Sequence, residues 1–228
     1  MSRTEGRCAA AHPIGRLGSG VVALALALAP IAGRAATSQL EADLVGPPRA
    51  IVEDTVGRVL VILNEDGLTS EVRRKRIEAI AFEVFDFKTM GKLVLARNWK
   101  KFDKAQRSDF IAEFKTYLSR NYGSRLDRYQ QTDVDIVGTR IEPRNDVTVL
   151  SKVVGGQFDG VEMNYRMRER GDVWRVIDVV IEGVSLIGNF RAQFKEVVGN
   201  GGPEALLAAM RKKNAQSKSD DDPPSSEG

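Results

Sequence analysis

Few side chains in this sequence are of a type that does chemistry. There is one cysteine, Cys8, and one histidine, His12. Both lie ahead of an apolar run at residues 21–32, in a segment that carries Arg3, Arg7 and Arg16. A basic start, an apolar stretch shorter than the ~20 residues of a membrane span, and small residues at Gly33, Ala35 and Ala36 form the pattern of a cleaved export leader. Cys8 stands upstream of the apolar run, where a lipid-modified N-terminal cysteine does not occur. We therefore expect a signal peptide over residues 1–35 and a mature chain, released into the periplasm, that starts near Ala36 with neither thiol nor imidazole. Such a chain has no disulfide, no cysteine or Ser–His nucleophile, and no basis for most zinc or copper centres.

Carboxylate and Ser–Lys chemistry remain. Asp178 stands in an otherwise apolar strand, and a buried carboxylate needs a partner. An ion pair to Arg191, or backbone hydrogen bonds, is expected there in preference to catalysis. Ser185 reads as a helix N-cap, and Lys195 lies too far along that helix to activate it. No two carboxylates stand among apolar residues at matched positions, which weakens an acid/base enzyme.

The elements that would position any site come in three blocks. Helices come first. Pro47 and Pro48 open one carrying Val52, Val56, Val59, Leu60 and Leu63 on a single face. A second follows Thr69 or Ser70, with Ile77, Ile80, Ala81 and Val84 as its buried side and Arg73, Arg74, Lys75 and Arg76 as a solvated face or an anion-binding one. Asp86 caps a short helix with Met90, Leu93 and Val94. Asp103 and Gln106 form a capping box for a helix striped with Phe110, Phe114, Tyr117, Leu118 and Tyr122.

Strands follow at residues 133–141 and then along Val147, Val149, Ser151 and Val153. The third has alternating Val161, Met163, Tyr165 and Met167, and the fourth covers residues 173–182. Short turns between them imply antiparallel neighbours. The fourth strand is apolar on both faces. A helix with Phe190, Phe194, Val197 and Val198 and a last one with Leu206, Leu207 and Met210 close the fold. The expected class is α+β: a twisted antiparallel sheet of about four strands packed on several helices. Residues 36–213 form one domain, and residues 214–228, without a large apolar side chain, form a disordered tail.

The full chain has 34 basic and 31 acidic residues. The leader takes four of the first and one of the second, leaving 30 of each. The basic precursor thus gives no reason to expect nucleic acid as a partner.

Phe85-Asp86-Phe87 followed by Trp99 resembles the MlaC family, as do the helix with Gln106, Arg107, Phe110 and Phe114, the run Trp174-Arg175-Val176-Ile177-Asp178-Val179, the run Glu182-Gly183-Val184-Ser185-Leu186, and Asn189-Phe190-Arg191. These are periplasmic phospholipid-shuttle proteins, also described as toluene-tolerance auxiliary components of an ABC transporter. The resemblance covers residues 47–211. It implies a sheet and helices enclosing an apolar pocket for acyl chains, with headgroups near solvent. Phospholipid is then the bound cargo, with no cofactor and no catalysis. The implied partners are an inner-membrane ABC transporter complex with periplasmic lipid-binding domains and an outer-membrane lipoprotein complex. The implied role is maintaining outer-membrane lipid asymmetry.

Such a carrier must hide two acyl chains of roughly 30 methylenes, worth on the order of 20 kcal/mol of burial at ~0.8 kcal/mol each. The expected lipid-contacting residues on the helical part are Phe87, Met90, Trp99, Phe110, Phe114 and Tyr117. On the strands they are Val149, Val161, Met163, Tyr165, Val179 and Ile181. A monomer is expected, because a shuttle must present its mouth to membrane partners. The competing classes are a periplasmic adaptor that only docks proteins and a small-ligand enzyme using a carboxylate as general base.

Overall fold

Local signals set where the helices begin. In the computed structural model, which describes residues 31–123 and 126–221, α1 (Ile31–Leu63) leads into α2 (Ser70–Val84). The Thr69 hydroxyl caps α2 by accepting from the Val72 amide at 3.3 Å. The Asp86 carboxylate caps α3 (Phe87–Leu95), accepting from the Thr89 amide at 2.8 Å and from the Thr89 hydroxyl. A 3₁₀ turn carrying Trp99 leads to α4 (Lys104–Gly123). There the Asp103 carboxylate accepts from the Gln106 amide at 2.8 Å, and the Gln106 side chain accepts from the Asp103 amide at 3.0 Å. This reciprocal box satisfies two donors that a helix start would otherwise leave open.

The strands are β1 (Asp133–Ile141), β2 (Val147–Val154), β3 (Met163–Arg170), β4 (Val173–Ile181) and the two-residue β5 (Val184–Ser185). They form one antiparallel meander in the order β1-β2-β3-β4-β5. The expected four strands are therefore joined by a short fifth. The register slips where Arg166 faces Asp178 but Met167 faces Val176, leaving Ile177 as the extra residue of a bulge. Bulges change which side chains share a face. Trp174 and Val176 face one core, and beyond the slip Val179 joins the same core. Ile177 and Asp178 border a cleft on the other side. This is why β4 reads as apolar on both faces.

α5 (Leu186–Asp221) contains both of the expected terminal helices, joined across Gly202. That residue sits at φ +71°, a conformation that costs glycine nothing.

Three boundaries differ from expectation. α1 starts at Ile31, so Pro47 and Pro48 lie inside it instead of opening it. Proline's fixed φ is itself helical, and its cost is the lost amide and the clash with the preceding turn. Val161 precedes β3 and is not a strand residue. Asn214, expected to begin a free tail, is buried, and its amide donates to the Glu113 carbonyl at 3.1 Å and the Glu113 carboxylate at 2.7 Å. Side-chain hydrogen bonding to α4, which apolar periodicity cannot register, holds this part of the chain in place. Residues 1–30 of the expected leader and 222–228 of the expected tail lie outside the described residues.

Two cores result. The helical core joins α3, α4 and α5 and holds Met90, Phe110, Phe114, Tyr117, Phe190 and Phe194. The sheet-side core holds Val52 of α1 and Val84 of α2 with Val147, Val149, Met167 and Trp174.

Candidate functional site

The space between α1, α2, α4 and the sheet is not filled. It forms a cavity of about 490 Å³, within the ~300–1,000 Å³ usual for small-molecule sites. α1 supplies Val52, Val56, Val59, Leu60 and Leu63. From Val52 to Leu63 the helix takes eleven steps, so the wall is about 16 Å long. α2 supplies Ile77, Ile80, Ala81, Phe82 and Val84. The sheet contributes Val153, Met163, Tyr165, Val176, Val179 and Ile181. α4 contributes Lys115, Leu118, Ser119 and Tyr122, spaced along one helix face. Phe85 and Phe87 complete this end, and Phe82 is the exposed wall residue, 40 % accessible.

Polar groups on this wall are few and mostly engaged. The Glu78 carboxylate accepts from Arg74 at 3.3 Å and from the Ser119 hydroxyl. The Thr55 hydroxyl donates back to the Ile51 carbonyl at 2.6 Å. The Tyr165 hydroxyl donates to the Met163 sulfur at 3.2 Å. Burial, with the neighbouring Tyr129, pushes the Tyr165 phenol up to about 12, because an apolar surrounding disfavours the phenolate. Such a wall suits a long apolar ligand. Its one carboxylate among the described residues is already hydrogen-bonded, and no group of three or more potential metal ligands occurs among them.

Of the twelve lipid contacts expected from the sequence, five lie on the cavity wall and seven do not. Phe87, Met163, Tyr165, Val179 and Ile181 lie on the cavity wall. Met90, Phe110, Phe114 and Tyr117 lie in the helical core instead. There the Phe110 and Phe114 rings stack at 5.7 Å, and Phe190 meets Phe114 at 5.6 Å and Tyr117 at 5.5 Å. The Phe110, Phe114 and Tyr117 part of the α4 stripe is turned toward another helix, while its last members, Leu118 and Tyr122, meet the cavity together with Lys115 and Ser119. Trp99 is half-buried with Arg107 over its ring at 5.2 Å, away from the wall. Val149 is fully buried in the sheet-side core, and Val161 lies outside it.

The α1 and α2 residues of the wall were legible only as buried helix faces. Their one-sided spacing is the same whether a face meets a core or a void.

Asp178 has a structural role. It is 7 % exposed and accepts from the Ser185 hydroxyl at 2.5 Å and the Ile187 amide at 3.1 Å. Ser185 in turn accepts from the Gly188 amide at 2.9 Å as the N-cap of α5. Arg191, its expected partner, donates to the Leu93 carbonyl instead, at 2.8 Å. Asp178 borders a polar cleft of about 330 Å³ that also includes Asp146, Arg166 and Arg168. The Arg168 guanidinium grips the Asp146 carboxylate with two 2.6 Å bonds, and this charge-assisted pair raises the Arg168 pKa.

The basic run is largely neutralised. Arg74 pairs with Glu78, Lys75 with Glu71 and Arg76 with Glu65. Arg73 is buried, and donates to the Leu68 carbonyl at 3.3 Å. It therefore does not form a uniformly solvated face: helical spacing turns its first member inward.

No helix among the described residues is long and apolar enough to cross a membrane. A family model described as "MlaC protein" matches residues 53–212. The toluene tolerance protein ttg2D of Pseudomonas putida is 24% identical over 103 residues, 45% of this chain and 48% of that protein, so the match spans about half of the relative's length. A phospholipid-binding protein of Ralstonia solanacearum, solved in complex with a phospholipid, aligns with a TM-score of 0.68 at 25% identity. That alignment covers 75% of this chain and 98% of the other.

Proposed function

This chain belongs to the MlaC family, and on that premise we propose that it is a periplasmic phospholipid carrier whose cargo's acyl chains fill the cavity between α1, α2, α4 and the sheet. The observation that carries this reading is the void itself: a long, apolar space left open in a fold like that of a phospholipid-binding protein. An apolar cavity of this kind stays dry and favours apolar occupants. The work of such a protein is burial and not bond-making, so it acts without catalysis and without a metal or cofactor. Met163, on the wall, has the unbranched side chain that adapts to differing acyl packing.

In this reading the first 35 residues direct export and are removed, and the carrier moves lipid between an inner-membrane ABC transporter complex and an outer-membrane complex. The transporter link is what the family resemblance implies. The full chain, expressed in a Gram-negative host and recovered from the periplasm, tests the reading by native mass spectrometry without added lipid. Bound phospholipid, together with an N-terminus near Ala36, is the expected result. A lipid-free protein that also takes up none from vesicles overturns it.

A further inference from the structure

Two ionisable side chains line the cavity, Glu78 and Lys115, apart from its tyrosines. They are not equivalent. Glu78 has its counter-charge in Arg74 and a hydrogen bond from Ser119. Lys115 has no carboxylate partner among the described residues. Its ammonium instead lies over the Phe82 ring at 3.6 Å and within 5.4 Å of the Phe87 ring. An aromatic face holds a cation in place but accepts no conventional hydrogen bond from it, and a lysine has three donors to place. These donors stand at the exposed end of an otherwise apolar cavity, beside Phe82.

From this we infer that Lys115 is the headgroup anchor of the cavity. It binds the oxyanion at the head of an apolar chain, and in a phospholipid that oxyanion is the phosphodiester. The inference rests on the carrier reading and adds a direction to it. The phosphate sits by Lys115, Phe82 and Phe87, and the acyl chains run inward toward Met163, Tyr165 and Ile181. The two rings preorganise the ammonium at the rim, so little side-chain freedom is lost when the anion arrives. The single positive charge on this wall then favours any phosphodiester lipid over the same acyl chains without phosphate, whatever the rest of the headgroup.

The test compares retention of three probes supplied in vesicles: a phospholipid, the diacylglycerol with the same chains, and a free fatty acid of the same length. Wild-type protein is expected to retain the phospholipid roughly tenfold longer than the diacylglycerol, the scale of one charge-assisted contact. Lys115→Met should abolish that preference while still holding both lipids, and Lys115→Arg should restore it. An unchanged preference in Lys115→Met overturns the assignment, as does a wild-type protein that holds the two lipids equally. Lys115-dependent retention of the fatty acid alone also overturns it, assigning the site to a carboxylate. Failure of the wild type to hold any of the three strikes the carrier reading itself.

Discussion

Tyr165 donates its hydroxyl hydrogen to the sulfur of Met163, two residues back along β3, at 3.2 Å. Both side chains lie on the cavity wall. A thioether is a weak acceptor, so this hydroxyl is poorly compensated for leaving water. Removing a badly paired polar group from an apolar site costs little. Tyr165→Phe is therefore expected to change unfolding free energy by less than about 1 kcal/mol and to leave co-purified lipid in place. Urea unfolding and native mass spectrometry check the two halves. A large loss of lipid would mean that the hydroxyl, and not the cavity's shape, holds the cargo.

Met163→Trp extends a bulkier side chain into the same void. In a filled core such a change costs about 1–3 kcal/mol through overpacking. Here open space receives the ring, so the melting temperature should hold while lipid occupancy falls. Full occupancy in this variant would place the cargo elsewhere.

Phe114→Ala should do the reverse. Phe114 is wholly buried in the helical core, against Phe110, Phe190 and Phe194. Truncating it should cost about 3–5 kcal/mol in urea unfolding without changing which lipids the folded protein carries.

Asp178→Ala removes the acceptor that ties Ser185 and the Ile187 amide to β4. Leaving a buried amide unpaired costs about 1–3 kcal/mol, and faster hydrogen exchange should begin at the first turn of α5. Ser185→Ala, which removes the N-cap, should cost about 1 kcal/mol.

Glu142 gives a signed acid dependence. Burial raises its pKa, but hydrogen bonds from Arg140 and Thr148 and the charges of Arg140 and Arg166 outweigh this, so the folded-state pKa lies below the usual value. A carboxylate depressed on folding stabilises the fold above its unfolded pKa of about 4.3 and loses that contribution as pH falls through the folded value. Stability of the wild type should therefore decline below about pH 4 more steeply than that of Glu142→Gln. Parallel acid-unfolding curves for the two would remove Glu142 from the account.

Sequence signals were sufficient where the cause is local. Thr69, Asp86 and the Asp103–Gln106 pair announce helix starts, because a cap acts within three residues of itself. The alternation Met163, Tyr165, Met167 fixes a strand face, since the pleat has a period of two. The order of helices, strands and helices fixed the α+β class, and short turns fixed antiparallel pairing. The absence of cysteine and histidine beyond His12 was also plain from composition.

Which apolar face meets a neighbour and which meets empty space was decided only in three dimensions. Phe110 and Phe114 carry the same one-sided spacing as Val52, Val56 and Val59, yet the first pair packs in the helical core and the α1 residues border the cavity. Periodicity records that a side chain avoids water. It does not record whether protein or a void lies opposite, because that depends on how helices distant in sequence dock on a bulged, twisted sheet. The isolation of Lys115 from any carboxylate among the described residues likewise follows from that docking, since Glu78, on the same wall, is turned to Arg74 and Ser119.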